Sequence, residues 1–389
     1  MKDSASPEKG LSIIVAPASY KGSLTALQAA RAMEAGLRRA GLDGPVRLLP
    51  VADGGEGTLD LILQAREGER QVTTVHGADF RPRSAAWGIL EDDAGPIAVI
   101  EVAQVIGLAW VGASKVRERS SVGVGELIVA CLDRGIRRIW VGLGGSSTND
   151  GGAGLLAAMG VKLLGPEGAC VAPTPDGLGQ LARIDFSGLD ARLRDTEILI
   201  LSDVVNPLCG PQGASAVYGP QKGLASAEVP LVDAWLSRFA TQCGQWRELP
   251  LHEYPGSGAA GGLGYAFLLL GASLRSGADA LLDLLHLEAA LQEAAWVLTG
   301  EGRSDLQTLS GKAPLAVARR ARGAGVPVTL VAGSIDRGAL QGLSPWFDGA
   351  FAASFAPGGE EHLLGDAAAR LSASVEQVAR LRAALWRKG

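Results

Sequence analysis

Each end of this chain alternates strand and helix signals, while the middle follows a different pattern. No other feature limits the fold as strongly. At the N-terminal end, 11-LSIIVAPAS-19 is predicted as a buried strand running into a loop. Residues 23-SLTALQAARAMEAGLRRAG-41 carry apolar side chains at helical spacing and stop at Gly41, a residue suited to the left-handed position past a helix end. Thr25 with Gln28 three residues on matches a capping box. A second strand, 46-VRLLPVA-52, leads into 53-DGGEGT-58 and a helix from Leu59. Strand, helix and strand in that order imply parallel pairing. The C-terminal end repeats the grammar with a strand at 295-AWVLTG-300, a helix at 313-APLAVARRARGAG-325 and a strand at 327-PVTLVAG-333. A further strand is expected at 349-GAFAAS-354, and one or two helices over 363–388.

Between about 67 and 125 the pattern changes to short strands with hairpin-like loops, 71-QVTTVHG-77, 84-SAAWGIL-90 and 97-IAVIEVA-103. A helix at 125-GELIVACLDRG-135 and a strand at 137-RRIWVGLGG-145 follow. Like ends around an unlike middle predict a nucleotide-fold domain interrupted by an insertion, with boundaries near residues 67 and 292. The length agrees, since 389 residues exceed one ordinary domain. With 47% hydrophobic and 20% charged residues the chain can bury a sizeable core.

Two glycine-rich loops carry the chemistry. The first, 142-GLGGSSTNDGGAG-154, places Ser146, Ser147, Thr148, Asn149 and Asp150 in succession after Gly144 and Gly145. The second, 299-TGEGRSDLQTLSGKAP-314, crowds together Glu301, Arg303, Asp305 and Lys312. Such loops bind phosphate through amides and hydroxyls, and a divalent cation through carboxylates. Asp53 follows a strand, with Glu56 three residues on, and Asp203 follows the strand 196-TEILILS-202. Strand ends are where open α/β sheets place their sites. Lys21 and Lys312 lie beside glycines at helix entries, where a point charge suits an anion, and Lys222 in 218-YGPQKG-223 is comparable.

Several classes are disfavoured. A net charge of −5 argues against a nucleic-acid surface. Leu306 and Ala313 stand where a Walker A loop needs glycine and a hydroxyl. The literal G-x-G-x-x-G at 256-GSGAAG-261 follows 251-LHEYP-255, a poor strand, so a tight turn serving helix packing or the ligand cleft is expected rather than a dinucleotide site. Four histidines lack metal-ligand spacing, and 144-GGSST-148 lacks the closing glycine of a hydrolase elbow. Cys131, Cys170, Cys209 and Cys243 lie far apart, which suits a reducing cytosol. The polar start 1-MKDSASPEKG-10 reads as a frayed tail, and 263-LGYAFLLLGASL-274 is too short to span a bilayer, so a soluble cytoplasmic protein without membrane attachment is expected.

Taken together, the blocks resemble the glycerate kinase family of the bacterial glycerate 2-kinase type. The resemblance runs in family order through 17-PASYKGSLTA-26, 53-DGGEGT-58, 101-EVAQVIGL-108, 123-GVGELI-128, 144-GGSSTNDGGAG-154, 202-SDVVNPLCGPQGA-214, 218-YGPQKG-223, 256-GSGAAGGLGYA-266 and 299-TGEGRSDLQTLSGKAP-314. It implies ATP-dependent, Mg²⁺-assisted phosphorylation of D-glycerate, with 2-phosphoglycerate favoured over 3-phosphoglycerate as product. It implies an α/β fold whose Rossmann- or flavodoxin-like parallel sheet is built from residues 10–66 plus 293–389, interrupted by an inserted mixed α/β domain over 67–292. Family members usually carry Asp where Ala18 stands and Ala where Ser147 stands.

The roles the resemblance implies are these. The amides and hydroxyls of Gly144, Gly145, Ser146, Ser147 and Thr148 cradle phosphate, with Lys222 nearby, and Asn149 and Asp150 lie near the metal. Glu301, Asp305 and Glu56 hold Mg²⁺, or Glu301 and Asp305 orient the glycerate hydroxyls. Lys21, Arg303 and Lys312 meet the glycerate carboxylate and the transferring phosphoryl group. Asp53 or Asp203 accepts the hydroxyl proton or binds metal. An interdomain cleft closes on the substrate, and a homodimer is admitted. The competing readings are a kinase of another small hydroxy acid such as tartronate or lactate, an NAD-dependent dehydrogenase using 256-GSGAAG-261, and a non-catalytic nucleotide or metabolite sensor.

Overall fold

The structure is a computed structural model, and it describes residues 12–247, 249–306, 308–310, 312–353 and 366–386. The N-terminal tail, the end of the strand expected to reach 354 and the start of the helix expected from 363 lie outside these residues. Among them the strands, numbered along the chain, are β1 Ser12–Val15, β2 Val46–Leu48, β3 Glu69–His76, β4 Pro82–Leu90 and β5 Ile97–Glu101. They continue with β6 Arg138–Gly142, β7 Lys162–Leu164, β8 Arg183–Asp185, β9 Glu197–Leu201 and β10 Ser273–Arg275. The last are β11 Ala294–Thr299, β12 Arg303–Ser304, β13 Val328–Ala332, β14 Ser334–Ile335 and β15 Gly349–Ala352.

By contact the chain divides into two units, one formed by Met1–Ala52 with Ala278–Gly389 and the other by Asp53–Gly277. In the first unit both chain ends contribute to one five-stranded sheet, ordered β15-β13-β11-β1-β2, and each neighbouring pair is parallel. Counted within the unit, the order from β2 is second, first, third, fourth, fifth, which is the flavodoxin-like variant of the doubly wound fold. β1 and β13 are buried throughout, as a sheet covered on both faces requires. One face packs Ile13, Val15, Trp296 and Leu298 against Met33 and Leu37 of the helix Ala26–Arg39 and Leu371 and Val375 of the helix Ala367–Trp386. The helix Ala313–Gly323 packs against β11 and β13. The expected capping box is present, with the Thr25 hydroxyl accepting from the Gln28 amide and the Gln28 side chain accepting from the Thr25 amide. Gly41 takes a φ of 81° just past the helix end, the conformation that glycine adopts without penalty.

The second unit holds a mixed six-stranded sheet ordered β10-β9-β6-β5-β4-β3. β3, β4 and β5 pair antiparallel, whereas β5, β6, β9 and β10 run parallel. Two-stranded pairs complete the pattern, β7 with β8 in this unit and β12 with β14 in the first. The contact division and the sequence boundaries differ over residues 53–66 and 278–292. The helix Thr58–Ala65 packs on β4 and β5 of the mixed sheet. Arg320 of the first unit ties down Asp279, Asp283 and Glu288 at 2.8, 2.5 and 2.6 Å. These are contacts between distant parts of the chain, to which a change in local pattern is blind.

Candidate active site

In a sheet of flavodoxin-like order the chain leaves β1 and β11 toward opposite sides, and ligands are taken up at the C-terminal ends of such a strand pair. Residues Gly300, Glu301 and Gly302 follow β11 there. The segment after β1 runs alongside, with the Ala18 amide donating to the Gly300 carbonyl at 2.8 Å and the Thr299 hydroxyl to the Ala16 carbonyl at 2.7 Å. Tyr20 is buried beneath, its hydroxyl donating to the Val331 carbonyl. Burial, with Glu301 nearby, pushes the Tyr20 phenol well above its usual range.

Glu301 is 7% exposed. Its Oε1 accepts from the Ser304 hydroxyl at 2.9 Å and the Thr308 hydroxyl at 2.6 Å, while Oε2 lies 4.0 Å from the Lys312 Nζ. Desolvation raises the carboxyl above the ordinary glutamate range, and the hydroxyl bonds and Lys312 oppose that shift. Lys312 is the N-cap residue of the helix Ala313–Gly323, as its place beside glycine implied. Arg303 is exposed and sits 3.9 Å from both Asp305 and Asp336. Lys21 is exposed in the turn before Thr25, its backbone next to Gly302. The first unit thus gathers Lys21, Glu301, Arg303, Asp305 and Lys312 around the C-terminal ends of β1 and β11.

The second unit gathers the other candidates at the C-terminal ends of β5, β6 and β9. The Asp53–Thr58 loop lies across these ends so closely that a Cβ on Gly54 would fall 2.2 Å from the Leu201 carbonyl oxygen. The Gly144 amide donates to the Gly54 carbonyl at 2.9 Å, joining the two glycine loops. Asp53 is exposed and accepts from the Gly55 amide at 3.2 Å, Glu56 is exposed, and Asp203 follows the end of β9. Glu101, to which no role was assigned from sequence, ends β5 and accepts from the amides of Gly57 and Leu59 at 3.3 and 3.1 Å. It caps the helix Thr58–Ala65 with a carboxylate from a distant strand, anchoring the loop that carries Glu56.

The first glycine loop is less uniform than its composition implied. Asp150 does not face outward as a metal ligand. It is fully buried and accepts from the Ser121 amide and hydroxyl at 2.8 and 2.7 Å and from the amides of Gly152 and Gly154 at 3.2 and 3.1 Å. All of this secures the start of the helix Ala153–Ala158. The Ser147 hydroxyl is likewise spent inward, on the Ile106 carbonyl at 2.7 Å. Asn149 donates to the Ser215 hydroxyl at 2.9 Å. By contrast, Thr148 Oγ1 and Asn149 Oδ1 are buried with no hydrogen-bond partner, a condition that calls for a water or a ligand.

Lys222 is buried, and its Nζ donates to Ser146 Oγ at 3.3 Å and to the Thr148 carbonyl at 2.7 Å. Desolvation lowers its pKa from 10.5 to about 7. The unfolded chain therefore holds that proton up to 10.5 while the folded chain releases it near 7, so stability rises with pH across this window. Lys222→Met lacks the contribution. The melting temperature of the wild type, relative to that of the variant, is expected to climb between about pH 7 and about pH 10. Parallel melting curves would remove Lys222 as its source.

Among the described residues no three His, Cys, Asp or Glu side chains form a ready-made metal cage. Magnesium does not need one, because it is commonly held by one or two carboxylates together with substrate phosphates and waters. Glu301 and Asp305 supply hard oxygen atoms of that kind, so these residues fit the ion. The 256–262 turn packs against the first glycine loop. A Cβ on Gly261 would lie 2.0 Å from the Thr148 carbonyl oxygen, and the Gly151 amide donates to the Gly261 carbonyl at 2.9 Å. Among the described residues no helix is long and apolar enough to cross a membrane.

The chain is similar to known proteins. Residues 13–383 match the model of the glycerate kinase family. The chain is 44% identical to the glycerate kinase of Bacillus subtilis (strain 168) over 330 residues, 84% of this chain and 86% of that one. It is 42% identical to the glycerate 2-kinase of Escherichia coli (strain K12), with the same two shares covered. A crystal structure assigned as glycerate kinase 2 from Salmonella typhimurium LT2 superposes with a TM-score of 0.80 at 39% identity, covering 97% of this chain and all of that one. This chain belongs to the glycerate kinase family, a family of phosphotransferases.

Proposed function

We propose that this protein transfers the γ-phosphoryl group of ATP to the 2-hydroxyl of D-glycerate, with Mg²⁺ assisting. The observation that carries the reading is the group at the β1/β11 switch point, where buried Glu301 is held by two hydroxyls and faces Lys312. Phosphoryl transfer asks a protein for positioning and charge neutralisation, and a carboxylate beside a lysine at a ligand-binding strand end supplies both. The name of the E. coli relative supports the 2-position.

In this reading Lys21, Arg303 and Lys312 meet the glycerate carboxylate and the phosphoryl group. Glu301 and Asp305 hold Mg²⁺, which neutralises phosphate charge when bound, or orient the glycerate hydroxyls. Gly144, Gly145, Ser146 and Thr148 receive phosphate. Asp53 or Asp203 accepts the proton of the attacking hydroxyl. The four free cysteines suit a reducing cytosol.

The test is ATP turnover with D-glycerate and Mg²⁺, coupled through enolase without phosphoglycerate mutase. Enolase consumes 2-phosphoglycerate, so immediate phosphoenolpyruvate is the expected result. ADP without phosphoenolpyruvate would move the product to the 3-position. ADP no higher than in the substrate-free control would overturn glycerate as substrate and turn attention to tartronate or lactate.

A further inference from the structure

Arg119 lies in a loop that sequence reading left without a role. It is 5% exposed, and its four hydrogen bonds go to main-chain carbonyls or a hydroxyl, none to a carboxylate. One nitrogen serves both the Ser147 carbonyl, at 3.2 Å, and the Lys222 carbonyl, at 2.9 Å. Two further bonds fasten it to Ser114. Lys222 reciprocates by donating to the Thr148 carbonyl at 2.7 Å. Two buried basic side chains therefore grip two successive carbonyls of the first glycine loop. Burying the Arg119 charge with no carboxylate among its hydrogen-bond partners is costly, which makes the arrangement a poor choice for stability alone.

The geometry has a directional consequence. Both peptides are trans, so the N–H of each plane points away from its carbonyl. With the Ser147 and Thr148 carbonyls drawn onto Arg119 and Lys222, the amides of Thr148 and Asn149 point the opposite way. Neither amide donates to a carbonyl of the described residues. Thr148 Oγ1 and Asn149 Oδ1, on the same two residues, are the buried atoms without partners.

We propose that Arg119 is a positioning residue that, with Lys222, turns the buried amides of Thr148 and Asn149 away from the two basic side chains, as the donors that receive a phosphate group. This rests on the reading of the glycine loop as the phosphate cradle. Backbone donors held in place before the ligand arrives cost no reorganisation when charge develops.

The experiment uses the full chain as wild type, Arg119→Met and Arg119→Lys, with the β,γ-imido analogue of ATP plus Mg²⁺ as probe. Amide chemical shifts of Thr148 and Asn149 are followed by NMR, alongside kcat, KM and melting temperature. The expected result is that both amides shift downfield on adding the probe in the wild type. In folded Arg119→Met they shift little, and kcat/KM falls about 100-fold. Arg119→Lys, which keeps the charge and reaches fewer acceptors, falls between and carries the test if Arg119→Met does not fold. Wild-type shifts that move, together with unchanged shifts and kinetics in the folded variants, would overturn the role of Arg119 and leave the cradle standing. Wild-type amides indifferent to the probe would overturn the cradle itself, and the role of Arg119 with it.

Discussion

Gly144→Ala is expected to lower kcat/KM about 100-fold in a protein that still folds. The added Cβ would lie 2.3 Å from the Gly55 Cα, 2.8 Å from the Gly55 nitrogen and 3.3 Å from the Gly54 carbonyl carbon. These are backbone atoms, so no side-chain rotation relieves the overlap, and carbon atoms at rest sit about 3.5–4 Å apart. The two glycine loops must therefore separate by about 1 Å, and misplacement on that scale costs about 100-fold when the displaced group is one the reaction uses. The hydrogen bond from Gly144 to the Gly54 carbonyl at 2.9 Å is lost in the process, and Asp53 moves with its loop. Overpacking of this kind costs about 1–3 kcal/mol, which lowers the melting temperature without unfolding the chain. Gly135→Ala is the control, because Gly135 has a φ of 80° and nothing within 4 Å of a Cβ. It should cost stability and leave turnover alone. Wild-type turnover in Gly144→Ala would show that the approach of the two loops is unimportant to the reaction.

The second large effect is expected at Glu301, where activity and stability should part. Glu301→Gln keeps the shape and can still meet the hydroxyls of Ser304 and Thr308, but it carries no charge toward Lys312 or a magnesium ion. A fall in kcat/KM of about 100-fold or more is expected, the usual scale for removing one electrostatic group from a reacting site. The melting temperature near neutral pH should be unchanged or higher. Desolvation raises the Glu301 carboxyl, so the folded chain binds its proton more readily than the unfolded chain, and the ionised form lowers stability above the folded pKa. Replacing it with a neutral amide removes that penalty. A residue whose loss costs activity and gains stability is one kept for function. Wild-type kcat/KM in Glu301→Gln would remove Glu301 from the machinery. Glu301→Ala is the harsher variant, leaving two hydroxyl donors without their acceptor.

Much of the fold was legible along the chain because its signals are local. Thr25 and Gln28 mark a helix start within one turn, and Gly41 marks its end. The strands around Ile14, Val297 and Val331 read as apolar runs because a parallel sheet buries both faces. β10 escaped notice, since three residues with an exposed, intermediate and exposed pattern carry no period to read. The candidate site was legible in part. Glycine-rich loops at strand ends pointed to Glu301, Lys312, Asp53 and Ser146. The same composition placed Asp150 and the Ser147 hydroxyl beside them, and the structure turns both inward.

Sequence by itself determined the alternation of elements, the interruption of one sheet by another and the family, because each depends on neighbours in the chain or on motifs kept in order. Tertiary structure alone decided which polar groups of a motif are spent on hydrogen bonds within the fold. Arg119 reaches the Ser147 carbonyl across 28 positions and the Lys222 carbonyl across 103, and Glu101 caps a helix 42 positions away. A buried polar group must find its partner wherever the fold brings one, and that partner has no fixed spacing in sequence.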